Sequence, residues 1–279
     1  MIREKGNNMN YSINFTYLTK DIEVEKAAHI ISKAGFEALD YTPPVERDDW
    51  EKIMCKYMDI FEKENLCVHQ THAPFNRYES YGDNHMKFME RALKATELIG
   101  AKYMVVHGDE IDYGKLNYSS EKALNYNYEM FAPIVEKAAE KNISIAFENV
   151  FEDGYKGRTR FCSRTEELKE LIEKFNSENV CCCWDFGHAG VAFGDAQPEK
   201  IKEMGKYIKC THVHDCGHEQ DLHLPPFLGN IKWKECIEAM KAINYSGIWS
   251  FEMVYGRIPE ALADTFAKSM IEIARYMAS

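Results

Sequence analysis

Short apolar segments alternate with longer amphipathic segments along the whole of this 279-residue chain. The short segments are rich in β-branched, aromatic and cysteine residues, which favour strands, whereas the longer ones repeat apolar residues at helical spacing. The eight predicted strands are 11–16, 36–41, 66–73, 102–108, 142–150, 180–187, 207–215 and 247–254. A helix-like segment follows each of them, and this alternation predicts parallel strands joined by helical crossovers.

Eight strand–helix pairs in a chain of this length predict an α/β fold, a single (β/α)8 TIM barrel. A doubly wound open sheet is the alternative, but such sheets usually carry a glycine-rich phosphate loop after an early strand, and this sequence has none. Residues 1–10 are polar and are expected to be a disordered lead-in. Residues 11–279 are expected to form one barrel, the catalytic domain.

Composition limits the compartment and the partners. The nine cysteines include a run of three, Cys181, Cys182 and Cys183, and neighbours on a strand face opposite ways, so we expect reduced thiols rather than a disulfide framework. No signal peptide and no apolar segment of membrane-spanning length are present, so a cytoplasmic protein without a membrane partner is expected. The net charge of −11 disfavours nucleic acid as a partner, because phosphate contacts require lysine and arginine.

Ionisable residues stand at the ends of the last six predicted strands or on the loops that follow them. In a TIM barrel the active site lies at this end. Any one such residue alone is more often a hydrogen-bonded structural residue than a functional one. Because the strands converge, the whole set predicts a metal site. In chain order these residues are His72, His107, Glu148, Asp185, His188, His214, Asp221, His223 and Glu252.

Other candidates receive a structural interpretation. Cys181, Cys183 and Cys210 lie deeper in their strands and are expected to fill the barrel, since a free cysteine behaves as a small apolar residue. His212 shares a face with His214 one layer deeper, which favours a core role or a supporting contact to the site. The basic segment 156–160 could equally grip a phosphate or be a solvated loop.

The motifs around these residues resemble the xylose isomerase-like barrels. This superfamily includes sugar-phosphate isomerases and epimerases, ketose 3-epimerases and type-IV apurinic endonucleases. Each motif alone is weak, but the ordered set is specific and extends over nearly the whole chain. The motifs are Thr71-His72-Ala73-Pro74, Phe147-Glu148-Asn149, Asp185-Phe186-Gly187-His188, His212-Val213-His214-Asp215, Asp221-Leu222-His223 and Phe251-Glu252.

In the sugar branch, the resemblance implies one divalent ion, Mn²⁺, Zn²⁺, Co²⁺ or Mg²⁺, and a small sugar or sugar phosphate as the partner. The implied ligands are Glu148, Asp185, His214 and Glu252. Glu148 and Glu252 would also be the acid/base pair that removes and returns a proton through an enediolate. Further substrate contacts or additional metal ligands are implied for His72, His107, His188, Asp221 and His223.

The endonuclease branch implies a different use of the same nine residue types, which hold three zinc ions. The segment 221–233 favours the sugar branch, because it resembles that branch's pattern of Asp-x-His, Pro, Gly and a Trp that opens the next helix. Gly108 follows His107 where the endonucleases are expected to carry proline, and the acidic net charge points the same way. A third hypothesis, a metal-dependent sugar-binding protein without turnover, is disfavoured because binding alone requires no acid/base pair.

One feature departs from the characterised ketose 3-epimerases. Those enzymes grip the substrate with an arginine beyond the position of His214, and the loop at 216–220 has no match for it. The identity of the sugar, its phosphorylation, the choice between isomerase and epimerase and the formation of a homo-oligomer are therefore left open.

Overall fold

The computed structural model of the chain describes residues 11–19, 22–74, 84–108, 118–152, 160–253 and 258–278. Its strands are β1 (Tyr11–Asn14), β2 (Ala38–Tyr41), β3 (Cys67–His72), β4 (Tyr103–His107), β5 (Ser144–Glu148), β6 (Val180–Asp185), β7 (Ile208–His212) and β8 (Trp249–Phe251). Its α-helices are α1 (Phe15–Leu18), α2 (Val24–Ala34), α3 (Trp50–Lys63), α4 (His85–Ile99), α5 (Ser120–Glu140), α6 (Thr165–Phe175), α7 (Phe186–Phe193), α8 (Gln197–Met204), α9 (Trp233–Ala242) and α10 (Ala263–Ala278). Residues 1–10 and most of the segment 156–160 lie outside these ranges.

The eight strands form one parallel sheet in the order β7-β6-β5-β4-β3-β2-β1-β8. A parallel bridge between Val213 and Phe251, just beyond β7, brings the two ends of the sheet together. Val213 donates to the Ser250 carbonyl at 2.7 Å and accepts from the Glu252 amide at 3.1 Å. The predicted (β/α)8 barrel is therefore confirmed.

Two apolar regions hold the barrel together. A large one lies between the sheet and the surrounding helices, and a small one fills the barrel below the polar strand ends. The alternation of side chains along each strand supplies the inner cluster, because every second residue faces inward. Its members are Tyr103, Val105, Ala146, Cys181, Cys183 and Cys210. The predicted role of these three cysteines as barrel filling is confirmed.

The predicted strand 180–187 is too long, because β6 ends at Asp185 and α7 begins at Phe186. The Asp185 side chain accepts a hydrogen bond from the His188 amide at 2.6 Å, so it caps the first turn of this helix. Two residues of the expected strand therefore belong to a helix whose N-terminus lies at the barrel mouth. Among the described residues, no helix combines the length and apolarity that crossing a membrane would require.

Candidate metal centre

Every strand of the barrel ends in a polar residue or is followed by one, and nearly all of these side chains are buried. The predicted residues among them are His72, His107, Glu148, Asp185 and Glu252, and the structure adds Asn14, Asp40 and His212. Sequence analysis overlooked Asn14 and Asp40 because neither of these residues belongs to a motif that the sequence analysis singled out. Their relation to the site depends on strand pairing, which places Asn14 opposite Asp40.

Glu148 lies at the centre of the site and is almost completely buried. Four imidazole nitrogens lie 3.1 to 3.3 Å from its carboxylate oxygens, and they belong to His72, His107, His188 and His212. Burial alone would raise the pKa of this carboxyl. The positive charges of His212 and His107, with hydrogen bonds from His107 and His188, outweigh burial and hold the Glu148 pKa well below its usual value.

Asp185 is also fully buried and joins two parts of the site. Its Oδ2 lies 2.9 Å from His214 Nε2, while its Oδ1 caps the first turn of α7 through the His188 amide. Burial raises the pKa of Asp185, but the charges of His188 and His214 and the contact with His214 lower it by more, so the carboxyl is held ionised.

Among the described residues, three groups of side chains could each hold a metal ion, and within each group the donor atoms lie within 4.8 Å of one another. The first and largest is Glu148, Asp185, His212 and Glu252, all buried. The second shares two of these residues and consists of His72, Glu148 and His212. The third is His214, Asp221 and His223. The structure thus brings the nine predicted residues to one end of the barrel.

The structure places His212, rather than His214, with the three carboxylates of the first group. His212 Nδ1 lies 3.2 Å from Glu148 Oε2 and 3.4 Å from Glu252 Oε2. The strand register explains this position, because Asp185 pairs with His212 at the ends of β6 and β7. His214 Nε2 contacts the same oxygen, Asp185 Oδ2, at 2.9 Å, and its assignment as the fourth ligand stays a prediction.

The third group stands on the loop after β7. The rings of His214 and His223 stack in parallel with their centroids 3.9 Å apart, and Asp221 reaches both of them. Burial opposes protonation of His223, but the hydrogen bond to Asp221 and the charge of Glu252 raise its pKa to about 9. Burial raises the pKa of Asp221, but its hydrogen bonds with His188 and His223 lower that pKa by more.

Buried atoms without aligned hydrogen bonds mark the same place. Both ring nitrogens of His212, Nδ1 of His214 and Oδ1 of Asp221 are buried and make no such bond. Unsatisfied buried polar atoms are costly, and imidazole nitrogens together with carboxylate oxygens are the donors that divalent ions such as Zn²⁺, Mn²⁺ and Co²⁺ accept. The donor set therefore fits a divalent metal ion.

Asp215 fixes the loop that carries the third group. Its buried carboxylate accepts hydrogen bonds from the amides of Cys216, Phe227 and Ile231 and from the Trp233 indole, at 2.8 to 3.1 Å. These four donors are spread over both ends of the segment between β7 and α9. One side chain therefore holds the whole loop against the barrel.

Phe151, just beyond the end of β5, borders the site. The Phe151 ring lies 5.2 Å from that of His188, and the Arg160 guanidinium lies over Phe151 at 5.6 Å. Of the basic segment 156–160, only Arg160 belongs to the described residues. Arg160 contacts Phe151, and Phe151 in turn contacts His188, so Arg160 is separated from the candidate metal ligands by these two side chains.

Comparison with known proteins agrees with this architecture. The model of a family described as xylose isomerase-like TIM barrel matches residues 28–273. A solved structure described as a D-tagatose 3-epimerase-like protein is 25% identical and superposes with a TM-score of 0.76 over 97% of this chain and 98% of that chain.

Two curated relatives extend the comparison to sequence. An uncharacterised protein of Methanocaldococcus jannaschii is 29% identical over 208 residues, which cover 72% of this chain and 68% of that protein. A probable endonuclease 4 of Metamycoplasma arthritidis is 25% identical over 186 residues, which cover 64% of this chain and 64% of that protein. Relatives therefore lie in both branches that the motifs resemble.

Proposed function

This chain belongs to the xylose isomerase-like TIM barrel family, and we propose that it is a divalent-metal-dependent isomerase or epimerase of a small sugar or sugar phosphate. One observation carries the proposal: Glu148, Asp185, His212 and Glu252 converge with their donor atoms within 4.8 Å. Such a group can hold an ion and also present two carboxylates, from different strands, to the same substrate carbon. The likeness to a D-tagatose 3-epimerase-like protein supports it.

Glu148, Asp185 and Glu252 would hold the ion together with an imidazole at the end of β7, where the resemblance implies His214 and the first group contains His212. When bound, a divalent ion polarises a sugar carbonyl and stabilises the negative charge that develops as the neighbouring carbon loses its proton. Because Glu148 is enclosed by four imidazoles, whereas Glu252 is more exposed at 7%, we assign removal of the proton to Glu252. Glu148 completes the acid/base pair: it receives a proton from the imidazole of His188, whose Nδ1 lies 3.1 Å from Glu148 Oε1, and passes that proton to the substrate, while the proton taken by Glu252 is released to solvent and His188 is protonated again from solvent.

The remaining predicted residues are proposed to position the substrate. His188 lies between Glu148 and Asp221, with Nδ1 3.1 Å from the first carboxylate and Nε2 3.4 Å from the second. His72 and His107 border the opposite side of Glu148. In this arrangement their ring N–H groups would hold sugar hydroxyls while Glu252 takes the proton.

Exchange of hydrogen with solvent tests this function. We expect Mn²⁺-loaded protein in D₂O to incorporate deuterium beside the carbonyl of at least one ketose or ketose phosphate in a panel, measured by NMR. Glu252→Gln should slow the exchange about 10²–10⁴-fold, the usual contribution of a general base, and leave the circular dichroism spectrum unchanged. Glu238→Gln, an exposed change on α9, is the matched control. Loaded protein that exchanges none of the sugars would contradict the proposal.

A second candidate, cleavage of a phosphodiester at a trinuclear zinc site, is favoured by one observation. The three donor groups lie side by side, the first two share Glu148 and His212, and Asp185 links the first to His214 of the third. The relative described as a probable endonuclease 4 adds support, and the net charge of −11 opposes it. Close to three tightly bound zinc ions per chain, with cleavage of a duplex that contains an abasic site, would favour this candidate.

A further inference from the structure

Asn149 directly follows the last residue of β5, and it is almost completely buried. Its Nδ2 donates to the main-chain carbonyl of Asp185 at 2.9 Å, and its Oδ1 accepts from the main-chain amide of the same residue at 2.7 Å. One side-chain amide therefore bonds both backbone groups of Asp185, the last residue of β6. Because buried backbone groups without partners are costly, this pair of hydrogen bonds anchors the end of β6.

The asparagine side chain takes over where the ladder between β5 and β6 stops, two residues before Asp185. At the start of the two strands, the Ile145 amide donates to the Asn179 carbonyl at 2.8 Å, and in a parallel pair this pattern repeats every second residue. Carried forward by the same register, it would join the Asp185 amide to the main-chain carbonyl of Asn149. The side-chain oxygen of Asn149 receives that amide instead, which leaves the main-chain carbonyl for another contact.

The main-chain carbonyl of Asn149 contacts His188. The Nδ1 atom of His188 lies 2.9 Å from this carbonyl oxygen and 3.1 Å from Oε1 of Glu148. The His188 amide, in turn, donates to Asp185 Oδ1 at 2.6 Å. Asn149 is therefore the neighbour of one candidate ligand in the chain, bonds the backbone of a second, and contacts the imidazole that lies between them.

We infer that Asn149 is a positioning residue that sets the spacing between the carboxylates of Glu148 and Asp185, two of the proposed metal ligands. An ion requires its ligands at fixed distances, and Asp185 lies beyond the ladder that would otherwise fix it to β5. Asparagine suits this place because its side chain offers one donor and one acceptor in one plane, as a peptide group does. Aspartate would present two acceptors, and glutamine is one methylene longer. The inference rests on the proposed function, because it assigns Asn149 to the ion that the function requires.

Metal binding tests the inference. Asn149→Leu keeps the approximate size of the side chain and removes both hydrogen bonds to Asp185, and Asn149→Ala is a second variant. In both, the affinity for Co²⁺, measured by competition with a chelator, should fall about 10–100-fold, the usual effect of losing a residue that supports a ligand. The visible absorption of the Co²⁺ form should also change, because the ligands move, which a loss of stability alone would not cause. In the metal-free variants, amide hydrogen exchange should become faster at residues 184–188 than in the rest of the chain.

Asn179→Ala is the matched control. The Asn179 side chain donates to the Ile143 carbonyl at 3.1 Å, so it joins the same two strands at the end away from the candidate metal ligands. Its removal should leave the Co²⁺ affinity and the Co²⁺ spectrum at their wild-type values.

Each outcome separates the two proposals. Equal Co²⁺ affinity and spectra in the wild type and both Asn149 variants overturn the role of Asn149 alone, and so does an equal change in Asn179→Ala. If neither Asn149 variant folds, the wild type decides, because NMR should show a scalar coupling across the hydrogen bond from the Asp185 amide to the Asn149 side chain, and its absence overturns the role. Weakened binding in the variants together with no sugar exchange in the wild type supports the role of Asn149 and overturns the proposed function. A wild-type protein that binds no divalent ion overturns both.

Discussion

A Cβ atom built on Gly187 would lie 1.9 Å from Cε1 of His214, so the first turn of α7 passes directly against this imidazole. No side chain fits between them. We therefore expect Gly187→Ala to push His214 away from Asp185, to which it is joined at 2.9 Å, and to disturb the metal ligands. Overpacking of this kind costs about 1–3 kcal/mol. Thermal unfolding and metal content per chain would measure the two effects.

Gly194→Ala is the control for this change, because Gly194 ends the same helix at a positive φ of 51° with nothing near its Cβ position. It should lower stability through backbone strain alone and leave metal content unchanged. Equal metal content in the wild type and both variants would show that the contact between Gly187 and His214 does not serve the site.

The fold could be predicted from the sequence because it depends on local patterns. Each strand is a short apolar run and each helix an amphipathic one, so the alternation was visible without any long-range contact. The end of β6 was missed because Asp185 caps α7 through the His188 amide, and the preceding run of apolar residues and cysteines gives no sign of that bond.

The site was predicted less completely, for a physical reason. Strand ends identified the nine residues, but which histidine faces the carboxylates depends on register between β6 and β7, which pairs Asp185 with His212. Asp40 could not be identified at all, since its partners Gln70, His212 and Ser250 come from three other strands. Residue type alone does not reveal such contacts.

Asp215 provides a test of how the loop after β7 is held. Asp215→Ala removes the acceptor of three backbone amides and of the Trp233 indole, and leaves these donors without a partner. We expect the free energy of unfolding to fall by about 3 kcal/mol, since each buried donor left unsatisfied costs about 1–3 kcal/mol and the losses are not additive. Hydrogen exchange should become faster in residues 216–232 in particular. Exchange that rises evenly over the chain would contradict a local role, and Asp59→Asn, an exposed change on α3, is the control.

His69 provides a test of pH dependence outside the metal centre. It lies on β3 with Nε2 buried and unpaired, and burial lowers its pKa to about 4 from an unfolded value of 6.5. The unfolded chain therefore binds a proton between these values that the folded chain does not, so the contribution to stability is present above pH 6.5 and is lost as the pH falls towards 4. A shift of this size corresponds to about 3 kcal/mol.

The expected result is a weaker loss of stability in His69→Gln than in the wild type between pH 7 and pH 4, by about 3 kcal/mol in denaturant unfolding. His218→Gln, which removes an exposed imidazole, is the control for the loss of one titrating side chain. Parallel curves for the wild type and His69→Gln would show that His69 is protonated as readily in the folded chain as in the unfolded one.

Removal of the metal tests the donor groups as a whole. The carboxylates of Glu148, Asp185 and Glu252 are gathered within 4.8 Å with His212, and a divalent ion would offset the repulsion among them. Because the unfolded chain does not preserve this geometry, an ion at 100 times its Kd should stabilise the folded state by about 2.7 kcal/mol. We therefore expect chelator to lower the Tm and added Mn²⁺, Co²⁺ or Zn²⁺ to restore it in a concentration-dependent way. In Glu252→Gln the same titration should give a smaller rise, while in Glu238→Gln it should match the wild type. A Tm that chelator and divalent ions leave unchanged would mean that the imidazoles alone compensate these carboxylates.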